Sequence, residues 1–114
     1  MKVYGIPNCD TVKKSLTWLK NNGIDVEFHD FKKLGISDEK LKEWSSQVGW
    51  EALINKKGQT WKKLHPAVQQ SITSEKAAFD LMKEKTSVIK RPVVETSTGI
   101  IQGFDEIKYS SELK

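Results

Sequence analysis

The sequence has a single cysteine, Cys9, and no long run of apolar residues. Because a disulfide needs two thiols and a closed zinc site needs four ligands, Cys9 alone excludes an internal disulfide and a thiol-rich zinc site. The low cysteine content is typical of a reducing compartment and predicts a cytoplasmic location. No segment approaches the roughly 18 apolar residues of a membrane span, and residues 1–6 lack the apolar core of a signal peptide. We therefore expect no membrane partner and no bound metal.

The composition indicates one globular domain of modest positive charge. The 114 residues include 19 Lys plus Arg and 15 Asp plus Glu, which gives a net charge of +4. With 30% charged and 37% hydrophobic residues, the composition is that of a folded protein, and residues 1–114 are expected to form a single domain. The lysines occur in scattered pairs, which is more typical of a solvated surface than of a nucleic-acid footprint.

The start of the chain shows a strand–helix–strand pattern. Residues 3–6 are an apolar strand candidate that ends at Pro7. Asn8 is predicted as the N-cap of a helix that Gly23 terminates, and residues 26–29 alternate as in a second strand. Apolar side chains at helical spacing form the expected inner face of this helix: Val12, Leu16 and Leu19. The pattern predicts two parallel strands joined by a right-handed crossover.

The middle of the chain predicts an all-helical insertion over residues from about 36 to 85. Ser37 and Ser74 are the expected N-caps of its two longer helices, and Gly49 is the expected stop of the first. Shorter helical segments lie between them. This insertion is too closely connected to the rest of the chain to be predicted as an independent domain.

Strand character returns near the end of the chain. Residues 92–95 and 100–102 are apolar and are separated by a short polar loop, which predicts a hairpin. Asp105 is the expected N-cap of a terminal helix. Together with the first strands, this hairpin gives an α/β fold class, a sandwich of sheet and helices that carries the insertion.

Cys9 lies where the first strand gives way to the first helix. Unpaired backbone N–H groups and the positive end of the macrodipole converge there, and they can lower a cysteine pKa from about 8.5 by one or more units. A hydroxyl hydrogen bond from Thr11 and the charges of Lys13 and Lys14 would act in the same direction. Asp10 would either oppose ionisation or serve the helix start. A buried, inert thiol is the alternative.

Arg91 and Pro92 form the second candidate feature. Proline cannot donate to a sheet ladder, so a position at the start of a strand or after a cis peptide bond suits it. The planar guanidinium of Arg91 is suited to an oxyanion or carboxylate held beside a thiolate. The alternative is that Lys90 and Arg91 are an ordinary solvated pair.

Four segments of the sequence resemble one protein family. They are residues 4–14 (YGIPNCDTVKK), 28–31 (FHDF), 49–64 (GWEALINKKGQTWKKL) and 89–92 (IKRP). They are similar to the arsenate reductase-like (ArsC/Spx) family, and most of all to its YffB-like, glutathione-associated branch. The resemblance implies a thioredoxin-like sandwich with a mixed four-stranded sheet and a helical insertion. It also implies a nucleophilic Cys9 and a cis-Pro92 that faces it.

The sequence departs from the arsenate reductases of this family at the oxyanion site. Those enzymes resemble this chain but hold the tetrahedral oxyanion with three arginines, of which only Arg91 has a clear counterpart here. Where the other two would fall, residues 55–57 read Asn-Lys-Lys and residues 102–104 read Gln-Gly-Phe. Because lysine lacks the two-pronged grip of arginine, the sequence predicts much weaker oxyanion binding.

The resemblance therefore implies a glutathione-dependent thiol reductase. Cys9 would form a mixed disulfide with glutathione, and an external thiol would release it because the chain has no second cysteine. The expected binding residues are Arg91 and Lys57 for the glutathione carboxylates, the backbone around Asn8 and Thr11 for the sulfur anion, and Pro92, which shapes the site. No bound cofactor is expected. Glutathione is the expected co-substrate, and glutaredoxin is a candidate partner.

Two alternatives stay open. The first is a true arsenate reductase that acts on a small oxyanion with glutathione and glutaredoxin. The second is an Spx-like regulator that binds RNA polymerase. Spx proteins switch through a Cys-x-x-Cys disulfide, whereas this chain has Val12 at the second position, so RNA polymerase and nucleic acid are the less favoured partners.

Overall fold

The computed structural model describes residues 1–113, which form two compact units. The first unit comprises Met1–Leu34 together with residues 91–113, and the second comprises Gly35–Lys90. Residues 36–85, predicted as a helical insertion, all lie within the second unit. That the whole chain behaves as one domain stays a prediction.

Strands lie at the two ends of the chain and helices fill the middle. In order, the elements are β1 (Lys2–Gly5), α1 (Asp10–Asn21), β2 (Glu27–Asp30), α2 (Phe31–Leu34), α3 (Asp38–Val48), α4 (Trp50–Leu53), α5 (Gln59–Lys62), α6 (Pro66–Ser71), α7 (Glu75–Glu84), a 3₁₀ turn (Thr86–Val88), β3 (Val93–Glu95), β4 (Ile100–Gln102) and α8 (Glu106–Leu113). Of these helices, all within residues 1–113, none combines the length and the hydropathy that crossing a bilayer requires.

The four strands form one mixed sheet in the first unit, with the order β2-β1-β3-β4. β1 pairs in parallel with β2, and Val3 lies opposite Phe28. On its other side β1 is antiparallel to β3, where Val3 lies opposite Val94. β3 is in turn antiparallel to β4. The sheet confirms the predicted parallel crossover, the predicted hairpin and the predicted fold class.

Helix α1 begins one residue later than the sequence predicts. The N-cap is Cys9, whose backbone is extended (φ −107°, ψ 125°). The Cys9 carbonyl accepts the first helical hydrogen bond, from the Lys13 N–H at 2.9 Å, and this bond defines the cap. The prediction of Asn8 as the N-cap is therefore wrong. The Asn8 side-chain oxygen instead accepts a hydrogen bond from Lys32 Nζ at 3.5 Å.

The core of the first unit lies between the sheet and the helices α1 and α8. Its fully or almost fully buried members are Val3, Leu19, Val94, Ile101 and Tyr109. The sequence patterns predict the apolar members, since Leu19 lies on the expected inner face of α1. They did not single out Tyr109, whose ring makes edge contacts with Trp18 at 5.4 Å and Phe104 at 5.3 Å between centroids.

The second unit is helical, as predicted, and its two longer helices begin where the sequence indicates. Ser37 Oγ accepts from the Lys40 N–H at 3.2 Å, and Ser74 Oγ accepts from the Ala77 N–H at 3.2 Å. Gly49 ends α3 with φ +85°, a conformation that suits glycine. The short helix α6 was not predicted, although it begins at a proline in the first helical position. The fully buried side chains of this unit include Leu41, Trp44, Leu53, Met82 and Val88.

Gly5 allows α1 to approach the end of β1 closely. A Cβ at this position would lie 2.8 Å from Cγ2 and 3.3 Å from Cγ1 of Val12. Val12 is fully buried, and its β-branched side chain has few rotamers with which to move away. The contact therefore holds the first turn of α1 against the sheet.

We expect Gly5→Ala to lower the free energy of unfolding by about 1–3 kcal/mol, the usual cost of forcing a methyl group into a packed core. In a Val12→Ala background the same change should cost less, because both γ-carbons that meet the new methyl group are gone. Urea unfolding of the four proteins of this double-mutant cycle measures the difference. Strict additivity of the two changes would contradict the contact.

Candidate active site

The candidate site is built on the loop that connects β1 to α1. This loop brings Cys9 to the N-cap of α1, where its N–H donates to the Ile6 carbonyl at 3.3 Å. The thiol is partly buried. Because the following N–H groups of α1 have no carbonyl partner within the helix, they are available to a group at the position of the Cys9 sulfur. The prediction that Cys9 lies at a helix start is confirmed.

Opposing interactions set the pKa of Cys9, and their sum lowers it below the ordinary value. Burial is the largest influence and raises the pKa, because it removes water from the charged form. The Val12 N–H, the charge and hydrogen-bonding groups of Arg91, and the Thr11 N–H all lower it. A neutral thiol sulfur is a weak acceptor. These donors therefore favour the thiolate, which accepts more strongly.

Arg91 is the only arginine in the sequence. It precedes β3, and the Arg91–Pro92 peptide bond is cis, as predicted. That Pro92 faces Cys9 stays a prediction. Pro92 is buried, and its carbonyl accepts a hydrogen bond from the Gly103 N–H at 2.8 Å. The backbone that carries Arg91 is thus tied to the turn after β4. From this position the charge and hydrogen-bonding groups of Arg91 lower the pKa of Cys9, which favours a role at the site over a purely solvated pair.

The structure also shows how the other residues predicted near Cys9 are placed. Thr11 acts on Cys9 through its backbone N–H, whereas the sequence also predicted its hydroxyl. The Val12 N–H also lowers the Cys9 pKa, whereas the sequence predicted backbone donors only around Asn8 and Thr11. Lys13 and Lys14 are exposed, and neither is among the main influences on the Cys9 pKa. Asp10 is the first residue of α1, where a carboxylate interacts favourably with the helix dipole.

Lys57 belongs to the second unit. It is exposed, and its backbone N–H donates to Asn55 Oδ1 at 3.2 Å. Its predicted contact with glutathione stays a prediction. Within residues 1–113, His, Cys, Asp and Glu side chains nowhere gather in the groups of three that a metal ion would need.

The arrangement at Cys9 is suited to nucleophilic chemistry on sulfur. The thiolate and not the thiol is the attacking species, and a thiol with a lowered pKa supplies more of it at neutral pH. Arg91 adds a planar group that can bind an anionic substrate beside the nucleophile. The Thr11 and Val12 N–H groups lie on the helix side of the same sulfur.

We expect Arg91→Ala to raise the Cys9 pKa, because two of the interactions that lower it are lost while burial still opposes ionisation. The thiolate should then disappear at a higher pH on acidification than it does in the wild type. A pH titration of the ultraviolet thiolate absorbance measures this midpoint. Lys13→Ala removes the same charge from an exposed position of α1 and should leave the midpoint in place. An unchanged midpoint in Arg91→Ala would contradict the contact.

Comparisons with known proteins agree with this fold. The sequence matches the ArsC family over residues 4–111. The fold superposes on the structure of a YFFB protein with a TM-score of 0.92 and 38% identity, over 99% of this chain and 98% of the other. An arsenate reductase (ArsC) related protein from Brucella melitensis gives a TM-score of 0.76 and 40% identity, over 99% of this chain and 93% of that one.

An uncharacterized protein of Haemophilus influenzae is 37% identical to this chain over 109 residues, which are 96% of this chain and 95% of the relative. The family match spans nearly the whole sequence and includes Cys9, Arg91 and Pro92. With its mixed four-stranded sheet, this chain is a thioredoxin-like member of the ArsC family.

Proposed function

We propose that the protein is a glutathione-dependent thiol reductase in which Cys9 is the nucleophile. The observation that carries this proposal is the lowered Cys9 pKa, which has a physical cause in Arg91 and in the first N–H groups of α1. Membership of the ArsC family supports reductase chemistry in general. The single cysteine and the single arginine favour a thiol substrate over an oxyanion.

The proposed substrate is a mixed disulfide between glutathione and a second thiol compound. The Cys9 thiolate attacks the glutathione sulfur, so that a Cys9–glutathione disulfide forms and the substrate disulfide breaks. The second compound leaves as a thiolate and takes a proton from water. A second glutathione thiolate then attacks the glutathione sulfur bound to Cys9, which releases the Cys9 thiolate and oxidised glutathione. One glutathione is thereby oxidised for each substrate thiol that is released.

The external thiol is necessary because the sequence holds no other cysteine that could resolve the mixed disulfide. Glutathione fits this role chemically, since its carboxylates match the guanidinium of Arg91. Thr11 and Val12 would stabilise the sulfur anion at each exchange. Asn8 lies in the loop before α1, and Pro92 directly precedes β3. Both would limit how the glutathione tripeptide approaches Cys9. A glutaredoxin that supplies the second thiol would complete the same cycle.

Incubation with oxidised glutathione tests the first step. Intact mass spectrometry should find one glutathione per wild-type chain and none on Cys9→Ser, because attack requires the thiolate. Arg91→Ala should acquire the adduct more slowly than the wild type at neutral pH. Absence of an adduct on the folded wild-type protein would overturn the proposal.

Arsenate reduction is the second candidate, because the similar Brucella melitensis protein is described as related to an arsenate reductase. A coupled assay with glutathione and glutaredoxin compares arsenate with a glutathionylated peptide. We expect turnover of the peptide and little turnover of arsenate, since Arg91 alone cannot supply several bidentate contacts to the oxyanion. Preferential turnover of arsenate would favour the second candidate.

A further inference from the structure

Tyr109 brings a hydroxyl group into the apolar core of the first unit. Its side chain is fully buried, and the ring contacts of Trp18 and Phe104 are of a kind that a phenylalanine would make equally well. Burial of a hydroxyl group without hydrogen-bond partners costs free energy. The partners of the Tyr109 hydroxyl therefore indicate its role. Among residues 1–113 its hydrogen-bond partners are the Ser15 hydroxyl and the Gly103 carbonyl.

The direction of both hydrogen bonds follows from the groups involved. A carbonyl can only accept, so the Tyr109 hydroxyl donates its one proton to Gly103 O, at 2.6 Å. The Ser15 hydroxyl, which is also fully buried, must then donate to the Tyr109 oxygen. Burial and the charge of Asp105 raise the Tyr109 pKa against the opposing effect of Ser15, and the phenol therefore keeps the proton that this arrangement needs.

Each partner of Tyr109 leads to a different side of the Cys9 site. Ser15 lies on α1, the helix that Cys9 caps. The two residues are therefore connected by one continuous helix, which rises about 1.5 Å per residue. Gly103 donates its N–H to the Pro92 carbonyl at 2.8 Å. Gly103 adopts φ +80°, which favours glycine, and in this conformation one residue contacts both Tyr109 and Pro92.

We propose that Tyr109 is a positioning residue for the Cys9 site. Its hydroxyl joins α1, the helix that Cys9 caps, to the turn after β4, and this turn is hydrogen-bonded to the backbone of Pro92, the residue after Arg91. The chain of contacts runs from Ser15 through the Tyr109 hydroxyl and the two backbone groups of Gly103 to Pro92. It holds the thiolate and the guanidinium, which come from opposite ends of the sequence, at a constant separation. The inference rests on the proposed function, since it takes Cys9 as the nucleophile.

Tyr109→Phe tests this inference, because it retains the ring and removes only the hydroxyl group. Tyr4→Phe is the matched control, since it removes a phenol hydroxyl that bonds to Glu95 Oε1 at 3.0 Å in the same unit. For each protein, the rate of alkylation by iodoacetamide is measured as a function of pH, and stability is measured by urea unfolding. A purely structural role would change stability in both variants and the alkylation midpoint in neither.

The expected result is an upward shift of the alkylation midpoint in Tyr109→Phe by about half a pH unit, which is about a threefold loss in the ionisation constant of Cys9. Tyr4→Phe should keep the wild-type midpoint. Ser15→Ala removes the donor on α1, and its alkylation midpoint should shift in the same direction as that of Tyr109→Phe. If Tyr109→Phe does not fold, Ser15→Ala takes its place as the test.

A wild-type midpoint in a folded Tyr109→Phe, or in Ser15→Ala where that variant must decide, would overturn the positioning role. The proposed function fails separately, through the absence of a glutathione adduct on the wild-type protein. An adduct on the wild type together with an unshifted Tyr109→Phe would therefore reject the inference and leave the reductase proposal standing.

Discussion

The chemistry proposed for this protein depends on whether the sulfur atom of Cys9 is charged. Burial of Cys9 opposes the charge, and three sources of positive potential favour it: the Thr11 N–H, the Val12 N–H and the Arg91 guanidinium. These three sources depend on two features of the fold. The two N–H groups are presented because Cys9 caps α1, and Arg91 is presented because the backbone at Pro92 is tied to the turn after β4.

Local signals in the sequence were sufficient to predict most of the elements. Ser37 and Ser74 cap their helices through contacts within three residues, and a contact of that range can be recognised from residue types alone. The strand–helix–strand pattern and the hairpin follow from short-range periodicity in the same way. Cys9 and Pro92 stood out for comparable reasons, since the one lies at a predicted helix start and the other at a predicted strand start.

The features that could not be predicted depend on contacts between distant parts of the chain. Tyr109 and Ser15 are 94 residues apart in sequence and share a hydrogen bond, so nothing near either residue indicates the other. Asn8 has the residue type of an N-cap, but the path of the backbone decided that Cys9 takes the position. The effect of Arg91 on Cys9 likewise depends on how β3 pairs with β1. Its residue type and the family resemblance made Arg91 a candidate, but neither determines where it lies relative to Cys9.

The most direct test compares the ionisation of Cys9 in the folded protein with that in a synthetic peptide of residues 7–14. The peptide retains the neighbours of Cys9 in sequence, including Asp10, Lys13 and Lys14, but has no Arg91 and is too short for a stable helix. A titration of the thiolate absorbance should give a clearly lower midpoint for the folded protein than for the peptide. Equal midpoints, or a higher one in the folded protein, would contradict the account, because burial would then outweigh Arg91 and the helix N–H groups.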